Sequence, residues 1–381
     1  MAGALAGVKI IELAGLGALP YGALKLADMG ADIIRVDRVS DVPADPAPRP
    51  HNFWDRGRRS IAVDLKHPAG VETVLRLAAG AEAFLESFRP GVVERLGVGP
   101  AEVMARNPRI VYGRLTGWGQ DGPLARVAGH SLNYEALTGI TSSIGPRGGA
   151  PVPTLQFLGD FAGGGLHLAY GVVCALFAAQ RTGEGQVVDC AMIDGVMSLA
   201  ETYYAMDTMG LHTERRGENV FDGGAPFYNV YETADGKYVT IASIEPQFYA
   251  LLLERLGLAA RDVPDQHDQA HWPAMRERFA AVFRTRTRDE WSALLEGTDA
   301  CFAPVLTFAE AREHPHNVAR EAFVSRGELP ELLPAPRLSR TPGEAGPSPA
   351  WPGADTSAVL RECGFAAEEI ERLRSCGAIA G

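Results

Sequence analysis

The sequence predicts an α/β protein: a doubly wound, mostly parallel, Rossmann-like sheet in a large domain, with a smaller α+β domain beside it. Three observations carry this. Short Ile- and Val-rich runs alternate with amphipathic stretches at the spacing of βαβ units. The 381 residues exceed the size at which one hydrophobic core usually stops growing, so two domains are expected. Further along, a hairpin with an Asp-Gly turn breaks the alternating pattern.

Val8–Leu13 reads as a first strand, Gly15-Leu16-Gly17 as a turn, and Pro20–Met29 as a helix opened by proline. Ile33–Val36 is a second strand. Helices over Val71–Ala79 and Ala101–Arg106 separate strands over Glu82–Leu85 and Arg109–Leu115. A loop, Thr116–Pro123, then leads from a strand end toward His130. Leu166, Ala169, Tyr170, Val173, Cys174 and Phe177 recur at helical spacing, which puts Asp160 at or near a helix N-terminus. Ala191–Met209 reads as one long helix leaving the first domain. Asn229–Glu232 and Tyr238–Ile241 flank Ala234-Asp235-Gly236-Lys237 as a hairpin. Pro330–Pro352 is proline-rich enough for an extended return segment, and Val359–Arg374 closes the chain as a helical pair.

Composition narrows the function. A formal net charge of −11 argues against bulk attraction to nucleic acid or anionic lipid, so an anionic ligand must be held by local basic groups. No uninterrupted apolar run reaches the roughly 18 residues that suggest a membrane span. The N-terminus lacks the basic flank of a secretory signal, and the expected location is cytoplasmic. Five cysteines without close spacing indicate neither a disulfide framework nor a zinc site. His314-Pro315-His316 has no helical ligand spacing and makes a poor metal motif.

The basic groups cluster early. The first βαβ unit invites a dinucleotide reading, but the third glycine of that fingerprint would fall at Pro20. Arg38, at the end of the second strand, suits a phosphate on a ribose, as in NADP or in the 3′-phosphoadenosine of coenzyme A. Arg56, Arg58 and Arg59 precede a strand-like segment that ends in Val63-Asp64-Leu65-Lys66, and Ser87-Phe88-Arg89 and Arg95 follow. For Arg58 and Arg59, a solvated basic corner is as good a reading as a ligand contact.

Three segments carry the chemistry: Gly129-His130-Ser131-Leu132-Asn133-Tyr134, Asp160 followed by Gly163-Gly164-Gly165, and Ile244-Glu245-Pro246. An imidazole and a carboxyl facing each other across a carbon can remove a proton from one side and return one to the other. An aspartate before a helix is ordinarily just a cap, and an isolated histidine is ordinarily a packing or surface residue. The glycine run changes the weighing, because helix-end amides there are expected to meet a developing enolate oxygen. The helix end should lower the pKa of Asp160, and burial should raise it.

Together these segments resemble the α-methylacyl-CoA racemases of the family III CoA-transferase (CaiB/BaiF) superfamily, and the resemblance runs from Val8 to about Gly377. It implies epimerisation of 2-methylacyl-CoA thioesters by His130 and Asp160, with Glu245 as a partner of the histidine. The implied CoA and substrate contacts are Arg38, Val63, Asp64, Leu65, Lys66, Ser87, Phe88, Arg89, Arg95, Gly129, Ser131, Leu132, Asn133, Tyr134, Gly163 and Gly164. No metal or other cofactor is implied, since coenzyme A enters as part of the substrate. The implied partners are an acyl-CoA and a second copy in an interlocked homodimer, with no nucleic acid or membrane. The domains would be 1–190 completed by 330–381, a linker helix at 191–225, a small domain at 226–310 and a linker at 311–329. Two positions depart from the pattern: Ser131 stands where aspartate is usual, and Gln156 where asparagine is. The same superfamily includes CoA transferases in which the aspartate corresponding to Asp160 is a nucleophile. An acyl-CoA binding protein without turnover is the third reading.

Overall fold

The computed structural model describes residues 3–44, 53–326 and 329–381. The chain divides into two compact units. The first runs to Thr138, resumes over Leu155–Ala200 and is completed by Glu321–Gly381; the second holds Gly139–Thr154 and Glu201–Arg320.

The first unit is organised on a seven-stranded sheet. Strands β1 (Lys9–Leu13), β2 (Asp32–Asp37), β3 (Arg58–Val63), β4 (Ala83–Glu86), β5 (Val111–Thr116) and β6 (Val187–Ala191) lie parallel in the order β3-β2-β1-β4-β5-β6. Ile379–Ala380 adds an antiparallel edge beside β3. In register, Ile10 faces Ile33 on one side and Ala83 on the other.

Both faces of this sheet are covered, so its strands read as continuous apolar runs. Ile11, Ile34, Phe84 and Tyr112 enter one core, shared with the helices Pro68–Ala78, Thr356–Glu362 and Ala367–Ser375. Ile10, Ile33, Leu85 and Val111 enter the other, under the helices Ala18–Asp28 and His167–Thr182. Each fully buried side chain of this kind contributes about 1.5–3 kcal/mol.

The second unit carries an antiparallel sheet of β7 (Tyr228–Glu232), β8 (Tyr238–Ala242) and β9 (Phe302–Pro304). Phe227, Tyr231, Val239, Phe279, Phe283 and Trp291 fill its core. The Arg216 guanidinium donates to the carbonyls of Ser142 and Gly149, which ties 139–154 to this unit.

Four local differences from the sequence reading matter. The expected long helix at 191–209 is broken at Ala200 into Met192–Leu199 and Glu201–Thr208, and the boundary between the units falls there. The turn around Asp160 is a π-helix, Phe157–Leu166, which continues into the α-helix His167–Thr182. Phe323–Arg326 and Leu329–Leu332 pair as a hairpin where only linker and extended chain were expected. Phe157–Thr182 is long and apolar enough to cross a membrane by length and composition. Here Leu168, Val172, Ala175 and Leu176 pack on the sheet, while Leu166, Tyr170, Val173 and Phe177 form an exposed apolar stripe.

Candidate active site

In doubly wound sheets, ligands sit beyond the carboxyl ends of the strands where the strand order reverses. Here the reversal is at β1, between β2 and β4. The loops after β1 and β4 meet there: a Cβ added at Gly15 would stand 2.5 Å from the Ser87 hydroxyl. Gly17, at φ 65°, brings its backbone under Asp160, and a Cβ there would lie 3.2 Å from Asp160 Oδ2. The carboxyl therefore sits over the loop that follows the central strand.

His130 is delivered by the loop after β5. It stands at the N-cap of the helix Ser131–Ala136, exposed, with its backbone N–H donating to Asn133 Oδ1 at 3.0 Å. The Tyr134 hydroxyl donates to the carbonyl of Gly129, and its ring packs edge-on against Trp118. Ser131 Oγ accepts the N–H of Asp160 at 3.2 Å. That single bond brings the residue after His130 onto the backbone of Asp160, across 29 positions of sequence.

A π-turn is uncommon and recurs at functional sites. Here it widens the turn that carries Asp160, with the Phe161 N–H donating five residues back to the Gln156 carbonyl at 3.1 Å. The glycines behind it are packing residues. A Cβ at Gly165 would stand 2.5 Å from the Ala18 carbonyl, one at Gly164 3.0 Å from Ala18 Cβ, and one at Gly163 2.8 Å from Val196. The run lets two helices approach the π-turn closely, and all three glycines are buried.

Several of these groups bear on one another electrostatically. Burial pushes the Asp160 carboxyl above the ordinary carboxylate range, the nearby His130 charge pulls it back, and Glu135 pushes it up again. Burial, then Asp160, raise the Tyr134 phenol, and Arg89 opposes them. Arg89, Tyr134, Asp160 and His130 accordingly lie within electrostatic reach in a chain of pairs. Glu245 lies in the second unit, exposed at the N-cap of Pro246–Arg255, where its charge bears on Cys301.

The basic residues separate by whether they have counter-ions. Arg58 is buried against both carboxylate oxygens of Glu12 at 2.8 Å, Arg56 pairs with Asp28, and Arg59 pairs with Asp32 and Glu362. These arginines hold the sheet together. Arg38, Lys66, Arg89 and Arg95 are exposed at or just beyond the ends of β2, β3 and β4, with no ion pair among the described residues. Asp64 orders its own loop by accepting the Lys66 N–H at 2.9 Å, while Val63 ends β3 against Ile379. Phe88 packs partly into the core, and its N–H donates to Glu86. Leu132 and Asn133 are exposed beside His130.

Two residues of this site escaped the sequence reading. Gly17 was seen only as a turn glycine. Glu135 is fully buried and accepts both the Ser131 hydroxyl at 2.7 Å and the Gly159 N–H at 3.0 Å. Its spacing of four from Ser131 on a helix is the only sequence signal for it. His314 pairs with Glu296 at 2.8 Å, and no cluster of metal-ligand type occurs among the described residues.

Residues 5–356 match the family model described as CoA-transferase family III. The chain belongs to that family. Within CoA-transferase family III it is 47% identical over 374 residues to the alpha-methylacyl-CoA racemase of Mus musculus, covering 97% of this chain and 96% of that one. It is 43% identical over 381 residues to the human alpha-methylacyl-CoA racemase, covering 98% and 96%. The crystal structure of a CAIB/BAIF family protein from Brucella suis superposes with a TM-score of 0.81 at 25% identity, covering 95% of this chain and all of the other. The His130, Asp160 and Glu245 segments all lie inside the region that matches CoA-transferase family III.

Proposed function

We propose that this chain interconverts the R and S epimers of 2-methylacyl-CoA thioesters by 1,1-proton transfer through an enolate. The observation that supports the reading is the bond from the Asp160 N–H to the Ser131 hydroxyl, which joins the segment bearing His130 to the backbone of Asp160. The likeness to two racemases at 43–47% identity supports the same chemistry.

In one direction neutral His130 takes the α-proton and protonated Asp160 supplies one to the opposite face; in the other the roles reverse. A carboxyl held above its ordinary range by burial retains a proton more readily than a solvated one, which suits the acid role. Glu245 of a second copy is assigned to the histidine, fixing its tautomer. Arg38, Lys66, Arg89 and Arg95 are assigned to the phosphates of CoA, whose binding energy positions a reacting carbon far from them. The thioester delocalises the enolate charge itself, so the chemistry needs no metal, flavin or pyridoxal phosphate.

We also assign the exposed stripe Leu166, Tyr170, Val173 and Phe177 to contact with a second copy in a homodimer. Sedimentation of the native chain beside Tyr170→Glu tests this; a monomeric native chain refutes it. A cytoplasmic location is part of the same reading.

The second reading is CoA transfer, which the family description itself favours. Asp160 would attack the thioester carbonyl and release CoA thiolate to give a mixed anhydride; the thiolate would then attack the aspartyl carbonyl, break the anhydride C–O bond and expel the donor carboxylate, leaving an aspartyl–CoA thioester. One experiment separates the two. A single epimer is incubated in deuterium oxide, and the α-position is followed by NMR with optical purity. Deuterium entry with racemisation is expected, abolished by Asp160→Asn and by His130→Gln while CoA binding persists. CoA transfer to an added carboxylic acid, with hydroxylamine trapping at Asp160, would establish the transferase instead. Tight binding with neither outcome would leave a binding protein.

A further inference from the structure

We propose that Glu135 is a positioning residue of this site: its buried carboxylate clamps the segment bearing His130 to the segment bearing Asp160 and places a fixed negative charge beside the latter. The inference rests on the racemase reading and adds a residue to it.

The clamp is a matter of connectivity. Glu135 Oε1 accepts the Ser131 hydroxyl at 2.7 Å and the Gly159 N–H at 3.0 Å. Ser131 follows His130, and Gly159 precedes Asp160. The same serine oxygen accepts the Asp160 N–H at 3.2 Å, so one carboxylate oxygen and one hydroxyl close a ring across both flanks. Gly159 is part of the design: a Cβ there would collide with Ser131 Oγ and stand 3.0 Å from Glu135 Oε1.

The charge is a second matter. A buried carboxylate is costly, and a glutamine would offer the same acceptor oxygen to both donors without that cost. What glutamate adds is its negative charge, held next to Asp160 with no exposure to water. Serine carries no charge of its own; Glu135, one helical turn on, holds its hydroxyl.

The groups around Asp160 are few. His130 and Glu135 bear on it with opposite sign, and Tyr134 adjoins it with Arg89 beyond. From the packed helices, Tyr21 stacks on Phe161, His167 bonds the Ala162 carbonyl, and Asp194 bears on Asp189 and Cys190 instead. Removing the Glu135 charge should therefore lower the proton affinity of Asp160.

The test uses the full chain and Glu135→Gln. Carbon-13 NMR of labelled aspartate follows the Asp160 carboxyl, assigned by its loss in Asp160→Asn. The Asp160 titration is expected to move to lower pH in E135Q, and the pH–rate limb of Asp160 to move with it. Deuterium exchange at the α-carbon should show kcat down about tenfold, because the acceptor oxygen is kept and only the proton affinity of Asp160 changes, with KM changed by less than about threefold. Ser131→Asp placed in the E135Q background should restore part of the loss by returning a carboxylate to the same spot. An unmoved titration with an unchanged kcat in E135Q overturns the proposal. Should E135Q not fold, Ser131→Ala breaks the ring while keeping the charge, and full kcat there overturns the clamp. If the native chain exchanges no deuterium yet its Asp160 titration still moves in E135Q, the racemase reading fails and the role of Glu135 stands.

Discussion

Replacing Gly17 with alanine tests whether the loop after the central strand sets the position of Asp160. Two costs follow from the structure. Gly17 sits at φ 65° and ψ −110°, a conformation that costs an L-residue about 1–3 kcal/mol. The added Cβ would also stand 3.2 Å from Asp160 Oδ2, so the carboxyl must give by a few tenths of an ångström. Strain alone should lower Tm by about 2–4 °C for each kcal/mol in a unit of this size. Displacement of a reacting group should lower kcat by about tenfold to a hundredfold, with CoA binding kept. Gly7→Ala is the control, since Gly7 has φ 85° with nothing within 4 Å of a new Cβ. It also places an L-residue at positive φ, without the collision. The assay is α-deuterium exchange from one epimer beside thermal melts of both variants. If G17A keeps native kcat, or loses no more of it than G7A, the proposed placement of Asp160 is wrong.

Two further outcomes are expected. Arg58→Met strips the counter-ion from Glu12, which like Arg58 has no exposed side-chain surface, and should cost about 3–5 kcal/mol near neutral pH. Burial already raises the pKa of Glu12 above its ordinary value, and losing Arg58 raises it further, so the folded state binds the proton more readily than the unfolded one. Stability then falls as pH rises from the ordinary glutamate range through the folded value, and the R58M deficit in melts should be larger at pH 8 than at pH 5. An equal deficit at both would refute a buried ionised Glu12. Separately, Arg89→Ala and Lys66→Ala should each raise KM for an acyl-CoA about tenfold, as loss of one charge-assisted bond does, with a shallower salt dependence. Arg59→Ala, whose charge is already paired with Asp32 and Glu362, should leave KM unchanged. The same KM shift in all three variants would show that counter-ion pairing does not sort these residues.

The architecture was largely legible because it is written in local periodicity. Ile10-Ile11 and Ile33-Ile34 are adjacent apolar pairs, and adjacent residues on a strand point to opposite faces, so a sheet covered on both sides announces itself. The hairpin at Asp235-Gly236 was legible for the same kind of reason, Gly236 taking φ 72°. The break at Ala200 was not. The residues on either side of it are ordinary helix formers, and the helix beyond it buries none of its residues while falling in the second unit. In the site, His130 and Asp160 stood out by their surroundings, while the glycines after Asp160 did not reveal what packs on them. Glycine signals close approach without saying to what, and here the answer was neighbouring helices.

What the sequence determined by itself was the order of elements and the kinds of reactive group, because side-chain type and spacing are properties of neighbouring residues. Which arginine is free and which is spent on a carboxylate was decided only in three dimensions: Arg58 finds Glu12 46 positions away, and Arg59 finds Glu362 across 303. Glu135 makes the same point, as one carboxylate among 47 acidic residues whose significance lies in a Gly159 amide 24 positions further on. A charge acquires its energy from what surrounds it after folding, and no local pattern encodes that.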